Sequence, residues 1–312
     1  MSEPTVARLL FPRLDVDQFL EDQSYRDGQL ALVDRGVGGF VVFSGTLTEV
    51  ADAIGMLRES ASQDLIFAAD CEFGLAMRFG GANPFPRAMG LGNWGDADGI
   101  RRVSHAIAAE VLSVGIDWNL APVVDINSNR GNPIVNVRSF GETTDVVSAA
   151  SVAFIRGHND AGVASCAKHF PGHGETTVDS HLRLPSVEAD IDTMLSRELQ
   201  PFRTAIDAGV SSIMTGHLAS PLFDRSATPA SLSGAAVSFL RNELAFDGVV
   251  VTDALDMGAL DNGDSDEVVV RACAAGNDVL EIPANPATAL DALETALQQG
   301  RIDPAAVADS VR

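Results

Sequence analysis

Short apolar segments recur along the 312-residue chain, and the stretches between them have the 3.6-residue period of amphipathic helices. The apolar segments are rich in Val, Ile, Leu and Phe and contain few polar positions, which is typical of parallel strands covered on both faces. Eight strands are predicted: Val6–Leu14, Gly39–Ser44, Leu65–Cys71, Ile116–Ala121, Val163–His169, Ser212–His217, Gly248–Asp253 and Val279–Ile282.

Helices are predicted between these strands. The clearest are Glu49–Ser60, Asp98–Val114, Thr144–Ala161, Ile191–Ala208, Ser231–Leu244 and Asp266–Ala275. The last segment, 286–312, predicts a helix, a turn at Gly300 and the start of another helix. This alternation predicts an α/β fold, a closed (β/α)₈ TIM-type barrel in which residues 1–312 form a single domain. A doubly wound open sheet is the alternative, and no composition break suggests a second domain.

The composition is that of a globular protein, with 46% hydrophobic and 21% charged residues. No run of 18 apolar residues occurs, so no membrane helix is expected. The N-terminus lacks the layout of a signal peptide, and a cytoplasmic location is expected. Cys71, Cys166 and Cys273 lie far apart in apolar surroundings, and they are predicted to be reduced core residues rather than disulfides or metal ligands.

The chain is strongly acidic. Asp and Glu total 43 against 21 Lys and Arg, which gives a net charge of −22. Such a surface repels nucleic acid and anionic membranes, so neither is expected as a partner. A small neutral ligand fits this charge better. The scarcity of Lys also raises the hypothesis of adaptation to high salt.

Ionisable residues stand at the ends of five predicted strands. They are Asp70 and Glu72, Lys168 and His169, His217, Asp253, and Glu281. Such groups are unfavourable inside a barrel, but catalytic residues of this fold come from the carboxyl ends of its strands. The pattern therefore predicts a functional site at that end of the barrel.

Residues 168–181 read Lys-His-Phe-Pro-Gly-His-Gly-Glu-Thr-Thr-Val-Asp-Ser-His. The loop that they predict after the fifth strand is longer than the usual connection of about 2–6 residues, and long ordered loops are often functional. Lys168 is the only lysine of the chain, and three of its six histidines fall in this segment. An ammonium group is not interchangeable with a guanidinium, so the position indicates a specific role.

Residues 168–174, followed by Asp179, Ser180 and His181, resemble the signature of glycoside hydrolase family 3 in its β-N-acetylhexosaminidase branch. Three further segments resemble the family in the same order. They are 115–125, similar to its fourth-strand segment, 138–141, similar to its arginine turn, and 252–257, similar to the stretch that carries its nucleophile.

The resemblance implies a retaining exo-β-N-acetylglucosaminidase that acts on small carbohydrates, such as cell-wall fragments in recycling, without a metal or organic cofactor. It implies that Asp253 is the nucleophile and that His181, paired with Asp179, is the general acid/base. It implies sugar-binding roles for Asp70, Arg78, Arg138, Lys168 and His169. Departures from the usual family pattern at 70–74, Glu175 and Ala254 leave the exact sugar open.

The residues themselves suit this chemistry. A retaining glycosidase needs a carboxylate on one face of the anomeric carbon and a proton donor on the other. Asp253 ends a strand, where its position is rigid, and an imidazole such as His181 exchanges protons near neutral pH. Asp179 can orient that ring only if residues 179–181 are not helical. Each residue also has a structural alternative to a catalytic role: Asp253 could be the N-cap of a helix, and Asp179 could cap a turn.

Several other functions stay open on the sequence. The same scaffold suits a β-glucosidase or a glycoside phosphorylase. Lys168 at a strand end suits a Schiff-base enzyme of the aldolase type. His169, His173, Asp179 and His181 suit a metal-dependent hydrolase, although their spacing is not a known zinc pattern. A sugar-binding barrel without catalysis is the last alternative.

Overall fold

A computed structural model of the chain describes residues 5–180, 182–223, 227–260 and 264–312. The strands in these ranges are β1 (Leu10–Phe11), β2 (Arg13–Asp15), β3 (Gly39–Phe43), β4 (Ile66–Ala69), β5 (Trp118–Asn119), β6 (Ala164–Phe170), β7 (Ser212–Thr215), β8 (Val249–Thr252) and β9 (Leu280–Glu281). The α-helices are α1 (Val16–Glu21), α2 (Gln23–Asp34), α3 (Leu47–Ser60), α4 (Ala88–Trp94), α5 (Ala97–Ser113), α6 (Thr144–Ala161), α7 (Ile191–Thr193), α8 (Gln200–Asp207), α9 (Gly234–Asn242), α10 (Ser265–Ala274), α11 (Pro286–Gln298) and α12 (Pro304–Ser310).

The main sheet has seven parallel strands in the order β2-β3-β4-β5-β6-β7-β8, and β1 and β9 form a second parallel pair. Each strand of the main sheet therefore lies beside the next one along the chain. A doubly wound sheet reverses its strand order at a switch point, so the consecutive order excludes that alternative. The observed architecture is an α/β fold with a seven-stranded parallel sheet.

The second pair of strands contacts β8, at one edge of the main sheet, and β3, which lies next to the other edge strand β2. An isolated parallel bridge joins Val251 of β8 to Val279, and the Thr252 N–H donates to the Val279 carbonyl at 3.0 Å. On the other side, the Gly38 N–H donates to the Leu10 carbonyl at 3.2 Å, and the Val41 N–H donates to the Pro12 carbonyl at 2.9 Å. These bonds bring β9 next to β8 and β1 next to β3.

The predicted first strand, Val6–Leu14, is wrong over its first part. Val6–Leu9 form a buried 3₁₀ helix, and the strand that follows is divided into β1 and β2 at Pro12. Proline has no N–H to donate to a neighbouring strand, which explains the division. The apolar run is buried as expected, but burial alone does not distinguish a strand from a short helix.

Helices α3, α5, α6 and α10 agree with the predicted helices to within two residues at each end. Their ends follow local sequence signals. At the start of α3, Glu49 accepts a hydrogen bond from the Thr46 N–H at 2.7 Å and completes a capping box. The predicted C-terminal pair is also confirmed, because α11 and α12 flank Gly300, which has a φ of 73°.

Two predicted helices are interrupted. The expected helix Ile191–Ala208 consists of α7, a π-helical turn at Met194–Glu198, and α8. Pro201, in the first turn of α8, cannot continue the hydrogen-bond ladder into the preceding turn. The expected helix Ser231–Leu244 is a 3₁₀ turn followed by α9, because the Ser233 side chain accepts from the Ala236 N–H and starts a new helix there.

Both faces of the strands are buried, as the sequence pattern predicts. Phe11, Val41, Trp118, Met214 and Val251 belong to a cluster on one face, and residues of the other face pack against the helices. The three cysteines are buried and unpaired, as predicted. No helix within the described ranges has the length and apolar character needed to cross a bilayer.

Candidate active site

The carboxyl ends of the strands surround a cavity of about 440 Å³. Among the residues that line it are Asp70, Arg78, Arg138, Lys168, His169, His173, Ser180, Asp253 and Glu281. A larger open groove of about 1180 Å³ lies between α9, α10 and α12 at the amino ends of β7 and β8, and none of these residues lines it. The strand-end cavity, with its convergent charges, is therefore the candidate site.

Five charged side chains form a compact network on one side of this cavity. The Lys168 ammonium lies 2.5 Å from Asp70 Oδ1 and 3.1 Å from Glu72 Oε1. Arg138 donates to Glu72 from Nη2 at 2.7 Å and from Nε at 3.0 Å. Arg78 binds the other oxygen of Asp70 at 2.5 Å. Strands β4 and β6 hold the network, because Asp70 directly follows β4 and Lys168 lies in β6.

The network fixes the charge of its members. Burial acts to lower the pKa of Lys168, but Asp70 and Glu72 outweigh it, so the pKa is raised. Burial acts to raise the pKa of Glu72, but Arg138 and Lys168 lower it to about 2. An ammonium that is buried and doubly paired is not the neutral amine that a Schiff base requires. The geometry therefore argues against the aldolase-type alternative.

Asp125 anchors the start of segment 168–181 by hydrogen bonds, although the sequence did not identify it as a site residue. It accepts hydrogen bonds from the backbone N–H of His169 at 3.2 Å and of His173 at 2.7 Å. Its second oxygen lies 2.8 Å from Nδ1 of His169. In a neutral ring, a hydrogen bond donated from Nδ1 to this oxygen leaves Nε2 as the acceptor.

Asp253 follows β8 directly and is held by the backbone. Its N–H donates to the Thr215 carbonyl at 3.0 Å, and its Oδ1 accepts from the Ala254 N–H at 2.9 Å. Burial acts to raise the pKa of Asp253, but the imidazoles of His217 and His169 outweigh it, so the pKa is lowered. No α-helix begins at residue 254, so the alternative of Asp253 as a helix N-cap is wrong.

His217, the remaining strand-end histidine, has a structural position. Its Nδ1 lies 2.7 Å from Ser231 Oγ, and its Nε2 lies 2.7 Å from the Ala254 carbonyl. Both ring nitrogens are thus engaged, and burial lowers the pKa of the ring. The side chain supports the turn after Asp253 and does not line the cavity.

The loop after β6 is anchored by polar contacts. His173 Nδ1 lies 2.6 Å from Thr176 Oγ1, and its Nε2 lies 3.1 Å from Ser180 Oγ. The Asn132 amide donates to the His173 carbonyl at 2.8 Å. Both ring nitrogens of His173 are therefore occupied by hydroxyl groups, which argues against its role as a metal ligand. Within the described residues no cluster of His, Cys, Asp or Glu suits a metal ion.

Asp179 lies in this loop, next to Ser180, and residues 179 and 180 are not helical, as the proposed pair requires. The Asp179 carbonyl accepts from the Leu182 N–H at 3.0 Å and the Arg183 N–H at 3.1 Å. Asp179 itself is not among the residues that line the cavity. His181, the predicted acid/base, falls outside the described residues.

A second anchor of the loop was not predicted from the sequence. Glu175 accepts from the backbone N–H of Glu188 at 2.7 Å and of Ala189 at 2.6 Å. Arg197 bridges Glu175 at 2.8 Å and the buried Glu198 at 2.6 Å. Burial raises the pKa of Glu198 to about 7, although Arg197 acts to lower it. The π-helical turn thus places a carboxyl group that titrates near neutral pH behind the loop.

Most of the predicted site residues come together. Asp70, Arg78, Arg138, Lys168, His169 and Asp253 line one cavity. The side chains that sequence reasoning missed are Asp125, which orients His169, and the Glu175–Arg197–Glu198 anchor. Only Asp125 carried a signal, since it ends an apolar segment that resembles a strand and its following turn.

Comparison with known proteins gives a consistent result. Residues 6–312 match the family model described as "Glycosyl hydrolase family 3 N terminal domain". Beta-hexosaminidase A of Pseudoalteromonas piscicida is 37% identical over 273 residues, which are 79% of this chain and 46% of that protein. Beta-N-acetylglucosaminidase/beta-glucosidase of Cellulomonas fimi is 31% identical over 300 residues, which are 90% of this chain and 52% of that protein.

A solved structure agrees with these sequence relatives. The glycoside hydrolase family 3 beta-N-acetylglucosaminidase from Paenibacillus sp. matches with a TM-score of 0.87 and 34% identity, over 100% of this chain and 61% of that chain. The chain spans about half the length of the two curated relatives.

Proposed function

The chain belongs to glycosyl hydrolase family 3, and on that premise we propose that it is a retaining exo-β-N-acetylglucosaminidase acting on small carbohydrates. One observation carries the proposal: Asp253, whose pKa is lowered, lies in the same cavity as the buried network of Lys168, Asp70 and Arg138. The site thus has an ionised carboxylate next to a set of fixed hydrogen-bond donors, which is what a sugar and its anomeric carbon require.

The charged network supplies the donors for the sugar. An ammonium has three N–H donors, and the hydrogen bond from Lys168 to Asp70 occupies one of them, while Glu72 is an ion-pair partner at 3.1 Å. A donor therefore remains for a hydroxyl group of the sugar. The guanidinium of Arg138 likewise has N–H groups beyond those that Glu72 accepts. These groups are held in place before the sugar arrives, so binding orders few side chains.

The reaction proceeds in two steps. Asp253 attacks the anomeric carbon, the bond to the aglycone breaks, and protonated His181 gives its proton to the leaving oxygen. Neutral His181 then takes a proton from water, which attacks the anomeric carbon and releases Asp253. Asp179 orients the imidazole and stabilises its charged form, as the carboxylate of a hydrolase triad does.

The proposal includes a closed (β/α)₈ barrel as the scaffold. The bridge between Val251 and Val279, and the bonds from β3 to Leu10 and Pro12, support closure through the pair β9 and β1. Closure places the end of β9 beside the end of β8, where Asp253 lies.

A β-glucosidase is the second candidate. The Cellulomonas fimi relative carries both activities in its name, and this chain is 31% identical to it. The two activities differ at the 2-position of the sugar, which is acetamido in one substrate and hydroxyl in the other.

Aryl β-glycosides of N-acetylglucosamine, N-acetylgalactosamine and glucose test the proposal, each with and without inorganic phosphate. We expect the highest kcat/KM for the N-acetylglucosaminide, a first-formed β-anomer in proton NMR, and free sugar as the product in both buffers. A first-formed α-anomer would contradict retention. A sugar phosphate would show phosphorolysis, and preference for the glucoside would favour the second candidate.

A further inference from the structure

Glu281 is a buried carboxyl group that the reaction above does not use. It ends β9, is 2% exposed, and lines the same cavity as Asp253 and Lys168. Its Oε1 is buried and has no hydrogen-bond partner among the described residues. Buried polar atoms in folded proteins almost always have partners, so an unsatisfied one beside a cavity indicates that a bound group supplies the partner.

The backbone holds Glu281 close to Asp253. The Glu281 N–H donates to Thr252 Oγ1 at 3.1 Å, and its carbonyl accepts from the Leu255 N–H at 2.9 Å. Thr252 and Leu255 flank Asp253 on either side along the chain. Glu281 also pairs with Phe11 in the neighbouring strand β1. Its position relative to Asp253 is therefore set by strand and turn bonds, and not by a flexible segment.

Burial and the neighbouring charges favour the uncharged form of Glu281. The groups that act on it are Asp70 after β4, Asp253 after β8 and Lys168 in β6. Burial, then Asp70 and Asp253, raise the pKa of Glu281 well above its usual value, and Lys168 offsets only part of this. Lys168 already neutralises Asp70 and Glu72. A neutral carboxylic acid offers one O–H donor as well as acceptor oxygens.

We propose that the Glu281 carboxyl group binds the substrate by a hydrogen bond to an oxygen of the sugar ring or its substituents. The identity of the ligand as a sugar rests on the proposed function. In this role Glu281 extends the binding surface from the β4–β6 side of the cavity to the side that carries Asp253, so that the sugar is held on both sides of its anomeric carbon.

Two substitutions test the inference. Glu281→Gln keeps a donor and an acceptor without charge, and Glu281→Leu has similar size without hydrogen-bonding groups. We expect Glu281→Leu to lower kcat/KM for the aryl N-acetylglucosaminide and the calorimetric affinity for N-acetylglucosamine by about 10-fold or more. Glu281→Gln should stay within about 3-fold of the wild type, because it replaces the same hydrogen bond.

Glu110→Leu is the matched control, since Glu110 of α5 also has a buried oxygen without a partner but lies outside the cavity. It should leave both measurements unchanged. Wild-type values in Glu281→Leu would overturn the inference, because they would mean no contact with the sugar. Equal losses in both Glu281 variants would overturn it as well, because Gln supplies the same kinds of hydrogen-bonding group and should bind the sugar. An active wild type with unaffected Glu281 variants leaves the proposed function standing, whereas a wild type that neither hydrolyses nor binds these sugars contradicts both.

Discussion

The two sides of the candidate site both carry buried carboxyl groups, but they balance this charge differently. On the paired side, defined by Asp70, Glu72, Lys168 and Arg138, every carboxylate contacts at least one cation. On the reactive side, defined by Asp253 and Glu281, neither carboxyl group forms an ion pair with a described residue. The paired side is suited to fixed recognition, and the reactive side leaves one ionised carboxylate available for chemistry.

The difference has a physical cause. Lys168 and Arg138 form their ion pairs with Asp70 and Glu72, and no ion pair between described residues includes Asp253 or Glu281. There His217 and His169 outweigh burial and lower the pKa of Asp253, whereas burial, Asp70 and Asp253 raise the pKa of Glu281. Two carboxyl groups whose pKa values are driven apart take different roles, which is a recurring arrangement in enzyme sites.

The largest effect is expected on the reactive side. Asp253→Asn removes the nucleophilic oxygen while it preserves the size and the hydrogen bonds of the side chain. We predict that kcat falls by about 10⁴-fold, with a melting temperature close to that of the wild type. Steady-state kinetics and thermal denaturation measure the two quantities.

Asp256→Asn is the control for this variant. Asp256 also lines the cavity and lies three residues further along. Its substitution should cost far less activity, because it is not placed at a strand end. Equal losses in the two variants would show that the region needs negative charge in general, and not a nucleophile at residue 253.

On the paired side, the expected effect is on stability as well as on binding. Lys168→Met leaves the buried Asp70 and Glu72 without their shared cation, and breaking such a pair destabilises a protein by about 3–5 kcal/mol. Denaturant unfolding should show this loss, together with a raised KM. Lys168→Arg should not restore the KM, because a guanidinium has a different shape and donor geometry. Unchanged unfolding and KM in Lys168→Met would contradict the division between the two sides.

A smaller effect is expected from His181, the proposed general acid/base, which acts on the leaving oxygen while Asp253 acts on the anomeric carbon. His181→Ala removes the proposed proton donor, so substrates with poor leaving groups should react about 10²-fold more slowly. A 2,4-dinitrophenyl glycoside needs little protonation and should lose much less. Asp179→Asn should show the same dependence on the leaving group. A uniform loss across leaving groups would assign both residues to folding or binding instead.

The last effect concerns stability alone, and it tests how burial and pairing compete at Glu198, whose partner Arg197 is shared with Glu175. The pKa of Glu198 is raised to about 7, so the folded protein keeps this proton while the unfolded chain releases it near pH 4.5. Stability should therefore fall as the pH rises from about 4.5 to 7, by about 3 kcal/mol at most.

Glu198→Gln should flatten this part of the stability curve, and unfolding in urea at several pH values measures it. Glu188→Gln, at an exposed position of the same region, is the control and should keep the wild-type slope. The same slope in Glu198→Gln and the wild type would mean that Arg197 keeps Glu198 ionised.

Those parts of the site that stand directly at strand ends could be predicted from the sequence. A parallel strand covered on both faces must be apolar, so polar residues such as Lys168 and Asp253 at its end are conspicuous. The resemblance of 168–181 to a known signature then gave them roles. That Lys168 pairs with both Asp70 and Glu72 does not follow from the sequence, because a sequence does not show distances across the sheet.

Other features depend on contacts between distant segments. Asp125 accepts hydrogen bonds from the backbone N–H groups of His169 and His173, and no local sequence pattern predicts such a contact. The π-helical turn that buries Glu198 follows from the conflict between Pro201 and the preceding helix, while a periodic pattern alone predicts one continuous helix. The 3₁₀ helix at Val6–Leu9 escaped prediction because short apolar runs suit a strand and a buried helix equally.

The most direct test of the account is to identify the covalent intermediate. The enzyme is incubated with an activated fluoro-sugar whose glycosyl-enzyme hydrolyses slowly, and the digested protein is analysed by mass spectrometry. We predict one added sugar residue on the peptide that contains Asp253, and none in Asp253→Asn. A sugar attached to another residue, or an active enzyme that never acquires one and releases the α-anomer first, would contradict the claim that Asp253 is the nucleophile.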